Sequence, residues 1–96
     1  MPSQRHSELA TQAEKIRTDY LNAEIELGLA FTHLASVELD PASADQSRRE
    51  AVRASTIVHR FVSLIANSPA KHGLTLRLSE LDKIIASWPK RMHEQT

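Results

Sequence analysis

The stretch Tyr20-Leu-Asn-Ala-Glu-Ile-Glu-Leu-Gly-Leu-Ala-Phe-Thr-His-Leu-Ala-Ser-Val-Glu-Leu-Asp-Pro41 decides the fold. Within it Tyr20, Ala23, Leu27, Ala30, Leu34 and Val37 recur at alternating steps of three and four. The same alternation runs back through Ile16 and Ala13 to Leu9. Apolar residues at that spacing line one side of an α-helix. A second set, Leu21, Ile25 and Leu29, recurs every four residues. At about 100° per residue it points away from Leu27, which makes this half of the helix apolar on two faces. Such a helix is expected between neighbours rather than on a surface. The longer Leu9–Val37 seam is therefore expected to receive the rest of the chain. Leu21, Ile25 and Leu29 are left as a candidate self-association face, and a homodimer is the expected assembly. The competing arrangement has the third helix cover that stripe through Leu78, Leu81 and Ile85.

Working outward, Asp40 precedes Pro41, and a residue before proline is pushed out of the α region, so the first helix must end by Asp40. Its start is expected near residue 5, with Thr11 and Glu14 in capping-box spacing. Ser43-x-x-Gln46 repeats that spacing and announces a second helix over about 44–66. Its inner face reads Ser47, Ala51, Ala54, Val58, Phe61, Val62 and Ile65, small residues first and bulky ones last. Asn67 and Pro69 read as its stop. Gly73 reads as a loop residue with positive φ, and a third helix over about 75–88 carries Leu74, Leu78, Leu81, Ile84, Ile85 and Trp88 on one face. Residues 89–96 read as a polar tail. The run that comes closest to period-two alternation, Leu74-Thr-Leu-Arg-Leu78, reads as the entrance of the third helix, so the expected fold is all-α: an antiparallel helical hairpin plus a third helix, in one domain spanning residues 1–96.

The totals narrow the function classes. Ninety-six residues support one modest core. Twelve basic residues balance twelve acidic ones, which argues against general nucleic-acid binding, since that needs a net basic face. The same balance leaves little repulsion between copies. There is no cysteine, hence no disulfide frame and no thiolate metal site. The N-terminal residues lack the apolar core of a signal peptide, and no run approaches the ~20 apolar residues that span a bilayer. A cytoplasmic protein is the expectation.

Two fragments resemble tetratricopeptide-repeat proteins. Leu27-Gly28-x-x-Phe31 looks like the Leu-Gly-x-x-Tyr core of a first repeat helix, and Ala35-x-x-Glu38-Leu39-Asp40-Pro41 looks like the ending of a second. Here both lie on one helix, and Glu24 stands where the repeat has an aromatic residue. The resemblance implies close antiparallel helix packing over small residues such as Gly28. The order of long helix, Asp-Pro turn, Arg-rich helix and Leu-rich helix also looks like small bacterial three-helix proteins, a likeness that implies no activity.

Candidate sites are few. Arg49, Arg53 and Arg60 share the outer side of the second helix, with Arg48 and His59 toward one edge, forming a candidate anion-binding face. A solvated helix face is the ordinary reading of the same residues. Of the five histidines, His6, His33, His59, His72 and His93, no pair has the i, i+4 spacing of a helical zinc site. Glu24 is expected to form a structural ion pair with an arginine of the second helix. No phosphate loop, nucleophile elbow or triad is visible. The expectation is a non-enzymatic interaction or scaffold module with an unidentified protein partner, with no cofactor, no metal and no membrane. Anion or nucleic-acid binding through Arg48, Arg49, Arg53 and Arg60 is the alternative.

Overall fold

The computed structural model describes residues 2–89, with side chains from Arg5 onward. Three helices follow one another: α1 (Pro2–Val37), α2 (Pro41–Val62) and α3 (Pro69–Ala86). No strand occurs among the described residues, and the chain is all-α. The tail expected at 89–96 lies outside the described residues beyond Pro89.

Both connections use the same device. Asp40 caps α2 and Ser68 caps α3, each in extended conformation, with the following proline in the first helical turn. Asp40 Oδ2 accepts from the Ser43 backbone N–H at 3.0 Å and from the Ser43 hydroxyl at 2.8 Å. Ser68 Oγ accepts from the Lys71 N–H at 3.1 Å. A proline at the first helical position loses nothing, because its missing N–H would have had no partner there. This corrects three expectations. Ser43 is not the cap but a donor to it. Pro69 opens α3 rather than merely closing α2, so α3 begins six residues before the expected 75. Gly73 lies inside α3, and no glycine has positive φ. Helix α2 also ends at Val62, short of the expected 66.

Helix α2 returns antiparallel along α1, and α3 turns again to lie in the groove between them. Near the α1–α2 turn the buried side chains of α2 are Ala44, Ala51, Ala54 and Ser55, and they let the two backbones come close. Toward the other end a cluster of Leu21, Ile25, Val58, Ile65, Leu74 and Leu78 fills the wider gap, with Leu29 and Val62 against it. Gly28 sits between the two regions. A Cβ built there would stand 3.1 Å from Ala54 Cβ and 2.8 Å from Leu81 Cδ2, so all three helices converge on the missing side chain.

The buried face of α1 is Thr18, Leu21, Ile25, Gly28 and Thr32. This reverses the expectation for that helix. Leu21 is 3% exposed and Ile25 fully buried, so the stripe expected to bind a second copy is the core itself. Leu29 is partly buried against the same cluster. The competing arrangement, with helix α3 covering the stripe, is the one adopted through Leu78 and Leu81, while Ile85 is only partly buried. The seam expected to be the core is instead open to solvent: Leu9 is 60% exposed, Ile16 62% and Val37 56%, and Tyr20, Leu27 and Leu34 are close to half exposed. The threonines explain the reversal. Thr18 Oγ donates to the Glu14 carbonyl at 2.9 Å and Thr32 Oγ to the Leu29 carbonyl at 2.6 Å. Each hydroxyl is satisfied within its own helix, so the residue packs as a β-branched apolar one.

Candidate functional site

The seam left open on α1 is the most extensive functional candidate. Its nine positions, Leu9, Ala13, Ile16, Tyr20, Ala23, Leu27, Ala30, Leu34 and Val37, keep the four–three alternation throughout, which is a repeat of seven residues. A straight α-helix turns through 3.6 residues, so a strict seven-residue repeat follows the seam of a supercoiled pair rather than a flat neighbour. The seam lies on the side of α1 opposite Ile25, with Tyr20 at its edge toward the end of α2. Helix α1 is also longer than its partners, with 36 residues against 22 and 18. Residues 5–12 have no buried or partly buried side chain. Leu9 lies in this overhang.

Beside the seam, Tyr20 borders an apolar cleft of about 380 Å³ with Arg17, Leu21, Phe61, Leu64 and Ile65. Phe61, expected in the core of α2, is 42% exposed, because α2 ends immediately after it and the chain swings away toward α3. The open apolar surface therefore extends from the α1 seam onto the end of α2.

The four arginines differ in their surroundings. Arg49 Nη2 pairs with Asp45 Oδ2 at 2.8 Å on its own helix. Arg53 and Arg60 are exposed, whereas Arg48 is partly buried with its Nε lacking a hydrogen-bond partner. His59 Nε2 is 2.6 Å from Asp82 Oδ2, and the Ser55 hydroxyl donates to Asp82 Oδ1 at 2.6 Å. Asp82 thus ties α3 to two successive turns of α2. The serine and histidine both address the carboxylate rather than each other, so the trio is a helix–helix tether and not a nucleophile with its base. No cluster of histidine, aspartate and glutamate able to hold a metal occurs among the described residues.

Glu24 is partly buried at the edge of the seam, and the ion pair expected for it with an arginine of α2 is not made among the described residues. Arg77 of α3 instead reaches α1, donating to Asn22 Oδ1 at 2.7 Å and standing 3.4 Å from Glu26 Oε1. Glu14 accepts from the Ala66 N–H at 2.6 Å and so pins the α2–α3 connection to α1. A hollow of about 670 Å³ beside that contact is lined by Lys15 and Asp19 among others, which already pair with each other. Sequence reasoning missed Asp82, Arg77 and Glu14 as cross-links, since each reaches a residue far along the chain and nothing local marks it.

No helix among the described residues is long and apolar enough to cross a membrane. Comparison with family models, with curated proteins and with solved structures returns no match.

Proposed function

We propose that this chain is a non-enzymatic helical interaction module, acting in the cytoplasm, whose working surface is the Leu9–Val37 seam of α1. The observation that carries the reading is the coexistence of two complete faces on one helix. The Leu21–Ile25–Gly28 face is buried inside the chain, and the large side chains of the nine-position seam are each about half exposed or more. Exposed apolar surface of that length, continued onto Phe61 and Leu64, is characteristic of a protein-binding face. A seven-residue period selects a helix as the occupant.

The test compares the immobilised chain with its Leu27→Glu variant in a lysate of the source cells, after circular dichroism has shown the variant folded. Proteins held by the unaltered chain and lost from the variant support the reading, and identical sets overturn it. Anion binding through Arg48, Arg49, Arg53 and Arg60 has less support, since Arg49 is already paired with Asp45 and Arg48 is turned partly inward. Oligonucleotide binding that weakens steeply with salt would favour it instead.

A further inference from the structure

We infer that the seam is closed by a second copy of this chain, the two α1 helices pairing antiparallel with Tyr20 of one against Ala23 of the other. The inference rests on the interaction reading above and names its occupant. Three observations carry it.

The first is the repeat. A partner must follow a left-handed seam of nine positions, so it needs the same seven-residue period over the same length. Helix α1 has both properties, and pairing it with itself satisfies twofold symmetry directly.

The second is area. Six large side chains on the seam are each near half exposed. Together they carry on the order of 600 Å² per copy, so two copies bury more than the ~1,000 Å² that a specific interface needs.

The third is complementarity, and it sets the direction. With Tyr20 opposite Ala23 of the second copy, Ile16 meets Leu27, Leu9 meets Leu34 and Ala13 meets Ala30. The one aromatic residue of the seam then faces a small one, as close packing favours. A parallel pair would stack Tyr20 on Tyr20. Charge agrees. The antiparallel pair places Arg17 beside Glu24 of the second copy, twice, and so supplies a cation that Glu24 does not have among the described residues of its own chain. The parallel pair places Asp19 beside Glu24, twice. On the other flank of the antiparallel pair Asp19 approaches Glu26, but each carries its own cation: Lys15 Nζ stands 3.4 Å from Asp19 and Arg77 Nη2 3.4 Å from Glu26. The overhanging first turns of α1 then lie against the well-packed half of the second copy, with Leu9 covered by Leu34.

The chain has no cysteine, so engineered thiols report the pairing cleanly. Ala13→Cys and Ala30→Cys both change seam positions that are not buried. In the antiparallel register the thiol of A13C in one copy faces the thiol of A30C in the other. Like positions are then 17 residues apart along the pair, roughly 25 Å at 1.5 Å per residue, far beyond the reach of a disulfide. Sedimentation equilibrium at micromolar to 100 μM protein comes first, on the unaltered chain. A dimer is expected, and Leu27→Glu should weaken it about a hundredfold or more, because the leucine is lost on both sides of the interface. Leu34→Glu serves the same purpose should Leu27→Glu fail to fold. On mild oxidation, A13C mixed with A30C should give the mixed disulfide dimer, and neither variant alone should cross-link.

A monomer throughout the concentration range overturns the second copy as occupant, and leaves the interaction reading to its own test with the lysate. Self-cross-linking of A30C alone overturns the antiparallel direction. A dimer unaffected by both glutamate variants overturns the seam as its interface.

Discussion

Gly28 lies directly beneath Leu81: a Cβ on the glycine would come within 2.8 Å of the leucine's Cδ2. Leu81 is fully buried, so its Cδ2 can give way only by pressing on packed neighbours, and Ala54 Cβ, 3.1 Å from the same point, is fixed to its backbone. Alanine in place of glycine gains about 1 kcal/mol of helix propensity in a helix interior. Overpacking costs about 1–3 kcal/mol. The crowding wins, and Gly28→Ala should lower stability by about 1 kcal/mol net, seen as a lower urea midpoint with an unchanged slope. A higher midpoint would show that the helices can part at no cost.

The two faces of α1 should respond oppositely to truncation. Ile25→Ala opens a cavity in the core and should cost roughly 2–5 kcal/mol. Leu27→Ala removes a half-exposed side chain and should cost under ~1 kcal/mol in denaturation of the single chain. Ile25→Glu should abolish the helical signal in circular dichroism, while Leu27→Glu keeps it. Equal damage from both glutamates would mean that the faces have been assigned the wrong way round.

The contrast between these two faces shows where sequence reasoning succeeds. The helix count, the hairpin and the absence of strands are legible because periodicity reports the backbone directly. Which face of α1 looks inward is not legible. The seam offers nine apolar positions in strict alternation, whereas the true core face is interrupted by Thr18, Gly28 and Thr32, and counting hydrophobic residues ranks it second. Both threonines behave as apolar residues only because their hydroxyls bond to carbonyls one turn back, and glycine fits there by what it lacks. Likewise Pro41 and Pro69 read as stops, when each also starts the next helix. On the Arg-rich face, the pairing of Arg49 with Asp45 and the partial burial of Arg48 depend on side-chain placement that the spacing of the arginines does not report.

The Asp82 tether should prove unequal in its two arms. Ser55 is buried, and its hydroxyl loses its acceptor in Asp82→Ala, which should cost about 1–2 kcal/mol. His59 is exposed, and His59→Ala should cost under ~1 kcal/mol. A double-mutant cycle over Ser55 and Asp82 should show coupling greater than one over His59 and Asp82. The reverse order would place the stabilising contact at the surface.

The cap of α2 should confer a pH dependence at the acid end. Hydrogen bonds from the Ser43 hydroxyl and then from its backbone N–H hold the Asp40 carboxyl below its ordinary 3.8. The folded state favours the ionised form, so the stabilisation is complete above 3.8 and fades as pH falls through the lowered folded value. Asp40→Asn keeps a capping oxygen without the charge. The difference in melting temperature between the unaltered chain and this variant should therefore be constant near neutral pH and shrink below about pH 4. A difference that grows on acidification would contradict the capping geometry.

The overhang of α1 makes concentration a structural variable. A helical end that packs against nothing in its own chain opens more readily than the packed core. Its amide protons gain protection when something lies against it. Hydrogen exchange over residues 5–12 should then slow as the protein is concentrated, while exchange around Ile25 and Leu81 stays unchanged. That end of the molecule works as a gauge of occupancy, readable without a label or a substitution.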